Sequence, residues 1–385
     1  MNNFMLYNPT RIFFGEGEIS KLKTVIDKKS KVLIVYGGES FKKYGVYQQT
    51  LEALAGYSIF EFGGIEPNPD YNTCMKVVSY IKEHDINFIL AVGGASVIDA
   101  VKFISAAVYF EGEPWDILAK ASPIKKVMPF GTILTIAATG SEMNLAAVIS
   151  KRTTGEKKAF LNELVFPKFS ILDPVVTYTL PKKQISNGVI DAFVHVMEQY
   201  MTFPQNADLQ DGFAETILRT LINNGPKALE NPEDYDVRAN IMFSATMALN
   251  GLIGVGVAQD WASHEIGHSL TALYNMDHGQ TLAVIFIAII KYKKAQKADK
   301  LVQYAENVWN VDRGLTKQQK IELAIEKTQS FFKQMNLGIS LKDYNLGQDD
   351  INKIVENIQM NSFLPLGERQ DIYLDDIRKI LEISL

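Results

Sequence analysis

The chain has 385 residues, with 47% hydrophobic and 22% charged residues and a net charge of -5. This is the balance of a folded globular protein, and it leaves no basic footprint for nucleic acid or an anionic membrane surface. The single cysteine, Cys74, excludes an intramolecular disulfide and fits a reducing compartment, so a cytoplasmic location is expected.

The first residues, MNNFMLYNPTRIFFGEGEIS, lack the basic and then apolar segments of a signal peptide. The longest apolar run, Leu282 to Ile290, is well short of the ~18 residues a membrane span needs. Lys31–Tyr36, Tyr57–Phe62 and Asn87–Val92 read as buried strands rich in Val, Ile and Phe. Between them, Phe41–Leu54 and Tyr71–His84 carry apolar residues at helical spacing, and Val97–Val108 continues the alternation. Strand followed by helix, repeated, predicts a Rossmann-like parallel sheet, which Gly131–Ile136 and Phe169–Leu172 would extend. Near Asp173-Pro174 and Leu180-Pro181 the character changes to long helical patterns, with turn signals at Asn223-Asn224-Gly225-Pro226 and Asn231-Pro232. The expected fold is α/β over residues 1–181, a dinucleotide-binding domain. An all-helical domain is expected over 182–385.

Three loops at strand ends suit a nucleotide. In Ala91-Val92-Gly93-Gly94-Ala95-Ser96-Val97-Ile98-Asp99 a strand runs into a glycine pair and a helix start, where backbone N–H groups can approach a pyrophosphate. Ser96 could cap that helix or donate to a phosphate oxygen; an ordinary strand-to-helix turn would be spelled with the same residues. In Tyr36-Gly37-Gly38-Glu39-Ser40, Gly38 leaves room, and Ser40 with Lys42 or Lys43 could meet a 2′-phosphate. Glu39 works against that, since an acid at such a strand end binds ribose hydroxyls and disfavours the phosphate. Thr135 through Asn144, with Thr139, Gly140 and Ser141, is a third small polar loop; Thr139 or Ser141 could instead simply cap a helix.

The histidines cluster more sharply. Of five in the chain, His264, His268 and His278 fall within fifteen residues, and His195 lies one turn after Asp191. A spacing of four places Asp191 and His195 on one helix face, among apolar neighbours where an isolated carboxylate is costly and a divalent cation is a good partner. A simple Asp–His contact is the alternative. His264 to His268 also spells the HExxH of zinc peptidases, but the extended form of that motif requires histidine where Tyr274 stands. The form with a glutamate ligand requires an acid where the chain reads AVIFIAIIKYKKA, and neither form uses Asp191 or His195.

With these residues assembled, the chain resembles the iron-type (group III) alcohol dehydrogenases, in the butanol dehydrogenase branch that includes NADPH-dependent broad-range aldehyde reductases. The likeness runs from Asn8-Pro9-Thr10-Arg11 through Gly63-Gly64-Ile65-Glu66-Pro67-Asn68-Pro69 and GVIDAFVHVMEQY to the segment His264–His278. It implies a dehydroquinate synthase-like fold and a homodimer. It also implies a metal, zinc or iron, held by Asp191, His195, His264 and His278, with His268 near the nicotinamide as a proton relay. Gly37, Gly38, Ser40, Gly93, Gly94, Ser96, Asp99, Thr135, Thr139, Asn144 and Lys157 match the family's cofactor-contacting positions. Two residues depart from its pattern: Ala95 replaces a glycine, harmless unless φ is positive there, and Glu39 replaces another, which bears on NADP against NAD. The implied reaction interconverts primary alcohols and aldehydes with NADP(H). Polyol oxidation of the glycerol dehydrogenase type is the nearest alternative.

Overall fold

The computed structural model describes residues 1–385, the side chain of Lys43 excepted. Its contacts divide the chain into two units. One comprises Tyr7–Leu180 with Glu233–Met242; the other comprises Met1–Leu6, Pro181–Pro232 and Phe243–Leu385. Glu233–Met242 groups with the first unit because the buried Arg238 donates to Thr177 Oγ1 at 2.9 Å and to the Thr177 carbonyl at 2.8 Å. The N-terminus groups with the second unit, where the Asn2 amide donates to the Gly256 carbonyl at 2.9 Å.

The first unit is built on six parallel strands: β1 (Arg11–Phe14), β2 (Lys31–Tyr36), β3 (Ser58–Phe62), β4 (Phe88–Gly93), β5 (Phe130–Leu134) and β8 (Phe169–Leu172). A separate antiparallel hairpin pairs β6 (Ala146–Lys151) with β7 (Glu156–Leu161). Alternate residues of the central strands enter opposite cores. Leu33, Val35, Ile89 and Ala91 pack among residues of the helices Tyr71–Glu83 and Ala95–Ala107. Val32, Ile34, Leu90 and Val92 pack with Ile19, Leu22 and Val46. A parallel sheet covered on both faces gives near-continuous apolar runs such as KVLIVY, which is why these strands were legible.

The strand order is β1-β8-β5-β4-β2-β3. From β2 the chain moves outward to β3, then returns to place β4 on the other side of β2. The loops after β2 and β4 therefore diverge at a topological switch point, where sheets of this kind bind nucleotides.

Several expectations need correction. Phe41–Leu54 is not one helix: Ser40–Lys43 and Val46–Ala53 are separated at Gly45, whose φ of +83° no L side chain adopts comfortably. The fifth strand ends at Leu134 rather than Ile136, with one further bond to its neighbour, from the Thr135 amide to the Gly93 carbonyl at 3.0 Å. The short edge strand β1 and the hairpin β6–β7 were not anticipated. The hairpin's residues EKKAFL are mostly half-exposed and carry little apolar periodicity.

In the second unit, the helices Lys182–Tyr200, Ala262–Tyr274 and His278–Tyr292 carry the clustered histidines, and Asp208–Glu230 packs on the first of them. Asn223-Asn224-Gly225-Pro226 is not a turn. The helix Asp208–Glu230 runs through it with Pro226 inside, because Leu218, Leu221, Ala228 and Leu229 bury a continuous face. That tertiary burial outweighs the local penalty of proline. Asn231 does end it. Among the described residues, no helix is long and apolar enough to cross a membrane.

Candidate metal centre and nucleotide loops

The helix Lys182–Tyr200 is buried at every position from Ile185 to Tyr200, so Asp191 and His195 are held in an apolar surround. His264 comes from the first turn of Ala262–Tyr274, and His278 is the first residue of His278–Tyr292. Asp277 fixes that last start: it forms a capping box with Gln280 and accepts from Asn187 Nδ2 at 2.7 Å and from Lys183 Nζ at 2.8 Å. Gly279 lies directly against the backbone of Asn187. A Cβ there would stand 2.7 Å from both the Asn187 Cα and its carbonyl oxygen. Only a residue without a side chain lets the two helices approach this closely.

These elements bring one ligand atom each from Asp191, His195 and His264 within 4.8 Å of one another, all three residues buried. His195 Nδ1 lies 3.4 Å from Asp191 Oδ1, and His278 Nε2 lies 3.6 Å from the same oxygen. The His195 and His264 rings stack at 4.7 Å, and the His264 and His278 centroids are 5.2 Å apart. His278 stands at the edge of the buried three, its side chain 28% exposed. His268 follows one turn after His264, with its ring 5.9 Å from that of His278.

The spacing tests the donor set. A nitrogen–oxygen hydrogen bond is made at roughly 2.7–3.2 Å. Two ligand atoms ~2.1 Å from a tetrahedral ion stand roughly 3.4 Å apart. Separations of 3.4 and 3.6 Å match co-ligands of one ion. His195 Nδ1 makes no hydrogen bond among the described residues, as suits a donor directed at a cation. Burial, reinforced by His264, holds the His195 imidazole well below its ordinary pKa, in the neutral form that coordinates a metal. The chemistry of a carboxylate with imidazoles therefore fits a divalent zinc or iron ion.

Reading by spacing missed Glu198. It follows Asp191 by seven and His195 by three, on the same helix face, which is the signal that could have found it. Its buried carboxylate accepts from His264 Nδ1 at 3.2 Å. Burial, with Asp260 close by, pushes Glu198 up to about 8.

In the sheet unit, Gly94 is the N-cap of Ala95–Ala107, in extended conformation and without a side-chain cap. Ser96 is therefore not the cap; it lies in the first turn. Ala95 is helical rather than at positive φ, so the departure from glycine is without strain. Gly37, Gly38 and Ser40 follow β2, and Thr135 follows β5, so these loops share one end of the sheet with Gly93 and Ser96. Lys42 pairs with Glu61 at 3.3 Å; the Lys43 side chain lies outside the described residues.

Neither Thr139 nor Ser141 caps an α-helix. Thr139 Oγ1 accepts from the Ser141 amide at 3.2 Å, ahead of a short 3-10 turn at Ser141–Met143. Asp99 and Asn144 belong to a buried network. Asp99 accepts from Ser141 Oγ at 2.6 Å and from the Val148 amide at 3.0 Å. Lys102 Nζ donates to Ser141 Oγ, Asn144 Oδ1 and the Ala146 carbonyl at 3.0, 2.8 and 2.7 Å. Lys157 reaches Asn68 Oδ1 at 2.9 Å. Cys74 is buried in a helix and its thiol is pushed up by that burial, which makes it packing rather than a nucleophile.

A switch-point sheet in one unit and an acid–histidine metal group in the other are the make-up of a metal-dependent dehydrogenase. The model of iron-containing alcohol dehydrogenases matches residues 9–174, and that of the C-terminal part of the same family matches 185–385. The chain belongs to the iron-containing alcohol dehydrogenase family and is accordingly an oxidoreductase. It is 51% identical, over 100% of both chains, to the NADPH-dependent aldehyde reductase YqhD of Escherichia coli (strain K12). It is 39% identical, again over 100% of both, to a probable NADH-dependent butanol dehydrogenase of Bacillus subtilis (strain 168). The crystal structure of NADH-dependent butanol dehydrogenase A from Thermotoga maritima superimposes with a TM-score of 0.95 at 36% identity, covering 100% of this chain and 99% of that one. The helix holding His264 and His268 thus belongs to a dehydrogenase, and the peptidase and polyol alternatives are not favoured.

Proposed function

We propose that this chain interconverts primary alcohols and aldehydes by hydride transfer with NADP(H), using one divalent metal ion held by Asp191, His195, His264 and His278. The observation that carries the reading is the convergence of Asp191, His195 and His264 in a buried site at co-ligand spacing. When bound, the ion supplies Lewis acidity to the substrate oxygen, and the nicotinamide supplies or accepts the hydride. The apolar helix around Asp191 and His195 excludes water, which strengthens every charge interaction in the site. His268, one turn beyond His264 and more exposed, is the group assigned to hold and release the proton.

Residues 1–181 serve as the dinucleotide-binding domain and 182–385 as the metal-binding and substrate domain. Gly37, Gly38, Gly93 and Gly94 present backbone amides to the phosphates, with Ser40 and Ser96 as donors. Thr135, Thr139, Asn144 and Lys157 are assigned to the ribose and nicotinamide side. Asp99 acts from behind them by holding Ser141. The enzyme is placed in the cytoplasm as a homodimer, a reading that rests on its lone cysteine and its likeness to the family.

The test replaces Asp191 with Ala. The variant is expected to fold, to bind less than a tenth of the zinc or iron taken up by the parent, and to lose turnover of short aldehydes with NADPH. Full activity of Asp191→Ala in chelator-treated buffer would refute the reading.

A further inference from the structure

The helix that delivers His264 begins at an unusual place. Its N-cap is Trp261, in the left-handed region at φ +63°, and no side chain of the cap itself satisfies the first amides. Two carboxylates from elsewhere do so. Asp260 Oδ1 accepts from the Ala262 amide at 3.0 Å. Glu198 reaches across from the neighbouring helix: its Oε2 accepts from the Trp261 amide at 3.1 Å and its Oε1 from the Ser263 amide at 3.0 Å. The same Oε1 meets His264 Nδ1 at 3.2 Å. Glu198 is thus an N-terminal anchor for the helix and, through one oxygen, a partner of the imidazole. Behind it, Lys297 Nζ donates to Asp260 at 2.8 Å and to Glu368 at 2.9 Å, a single cation set among these carboxylates.

We infer that Glu198 is the positioning residue of the metal centre: by accepting the Nδ1 proton of His264 it fixes the tautomer in which Nε2 is the ligand atom, and it holds the ring's orientation by gripping the helix start. The geometry is specific to this job. A carboxylate that only capped the helix would need the two backbone amides and no more, yet Glu198 spends an oxygen on the ring as well. A histidine hydrogen-bonded through one nitrogen coordinates through the other, with higher basicity and less freedom to rotate. Asp191, His195 and Glu198 recur on one face of a single buried helix, so one rigid element supplies two ligands and the orienter of a third.

The inference rests on the metal reading, so the test is arranged to separate the two. Cobalt(II) or zinc affinity of the full chain is measured by chelator competition for the parent, Glu198→Gln, His264→Ala and the double variant; cobalt absorption bands and thermal unfolding of the metal-free proteins are recorded alongside. Glu198→Gln is expected to weaken metal binding by about 10–100-fold and to shift the cobalt bands. In the His264→Ala background the same change is expected to cost less than about twofold, since its effect runs through that ring. Unchanged affinity in Glu198→Gln, or an equal loss in both backgrounds, would overturn the role of Glu198. Absence of metal binding by the parent would instead overturn the metal reading. Should Glu198→Gln fail to fold, Glu198→Asp keeps the charge but shortens the reach to Nδ1, and goes through the same cycle with the same expectations.

Discussion

Replacing Gly279 with Ala gives a sharp test, because helix propensity and packing predict opposite signs. In a helix, Ala is favoured over Gly by up to about 1 kcal/mol, so an unobstructed Gly279→Ala would stabilise the protein. Here the new Cβ would lie 2.7 Å from the Asn187 Cα and carbonyl oxygen, where contacts become ordinary only near 3.4 Å. Backbone cannot turn aside as a side chain can, so the helix His278–Tyr292 must retreat from Lys182–Tyr200 by roughly 0.7 Å, at an overpacking cost of about 2–3 kcal/mol. His278 is the residue next to the clash, and metal ligands tolerate only about 0.2 Å of displacement.

Two losses should therefore appear together. Urea unfolding of the metal-free protein measures the first. Repeating it with excess zinc measures the second, since each tenfold loss of affinity removes about 1.4 kcal/mol of metal-induced stabilisation. A Gly279→Ala protein as stable as its parent in both conditions would refute the packing argument. A stability loss with unchanged zinc stabilisation would detach His278 from the metal.

Glu39 lies three residues past β2, the strand beside the one carrying the glycine pair, where an acid disfavours a 2′-phosphate. Glu39→Gly is expected to raise the ratio of kcat/KM for NADPH over NADH by about tenfold, read from initial rates with both coenzymes. A ratio left unmoved would mean that the carboxylate lies away from the phosphate. Lys102→Met would strip three hydrogen bonds from the buried loop of Ser141, Asn144 and Ala146, with an expected loss of about 3 kcal/mol and weaker NADPH binding by fluorescence titration. Burial lowers Lys102 to about 8 from 10.5, against the pull of Asp99 and Glu142. A lysine depressed in the folded state is deprotonated there first, so unfolding takes up a proton between those values. The stability contributed by this group rises with pH across that window, by on the order of 3 kcal/mol at most. The difference in stability between parent and Lys102→Met, followed by urea unfolding at about pH 7.5 and about pH 9.5, should therefore widen with pH; a constant difference would sink the assignment.

Local pattern was enough for the core strands and for picking out Asp191 and His195 as a candidate metal pair. KVLIVY and NFILAV announce buried parallel strands because both faces of such a strand are covered, and Asp191 with His195 announces a shared helix face because four residues make about one turn. Three other features depended on the tertiary structure. The run Asn223 to Pro226 looks like a turn, yet burial along the helix overrides it. Spacing puts Glu198 on the helix face of Asp191 and His195, but its partner is decided only when the start of another helix is folded onto it. The role of Gly279 exists only because Asn187 lies against it. Periodicity encodes which face of an element is apolar, whereas contacts between elements far apart in the chain leave no local signature in the residues that make them.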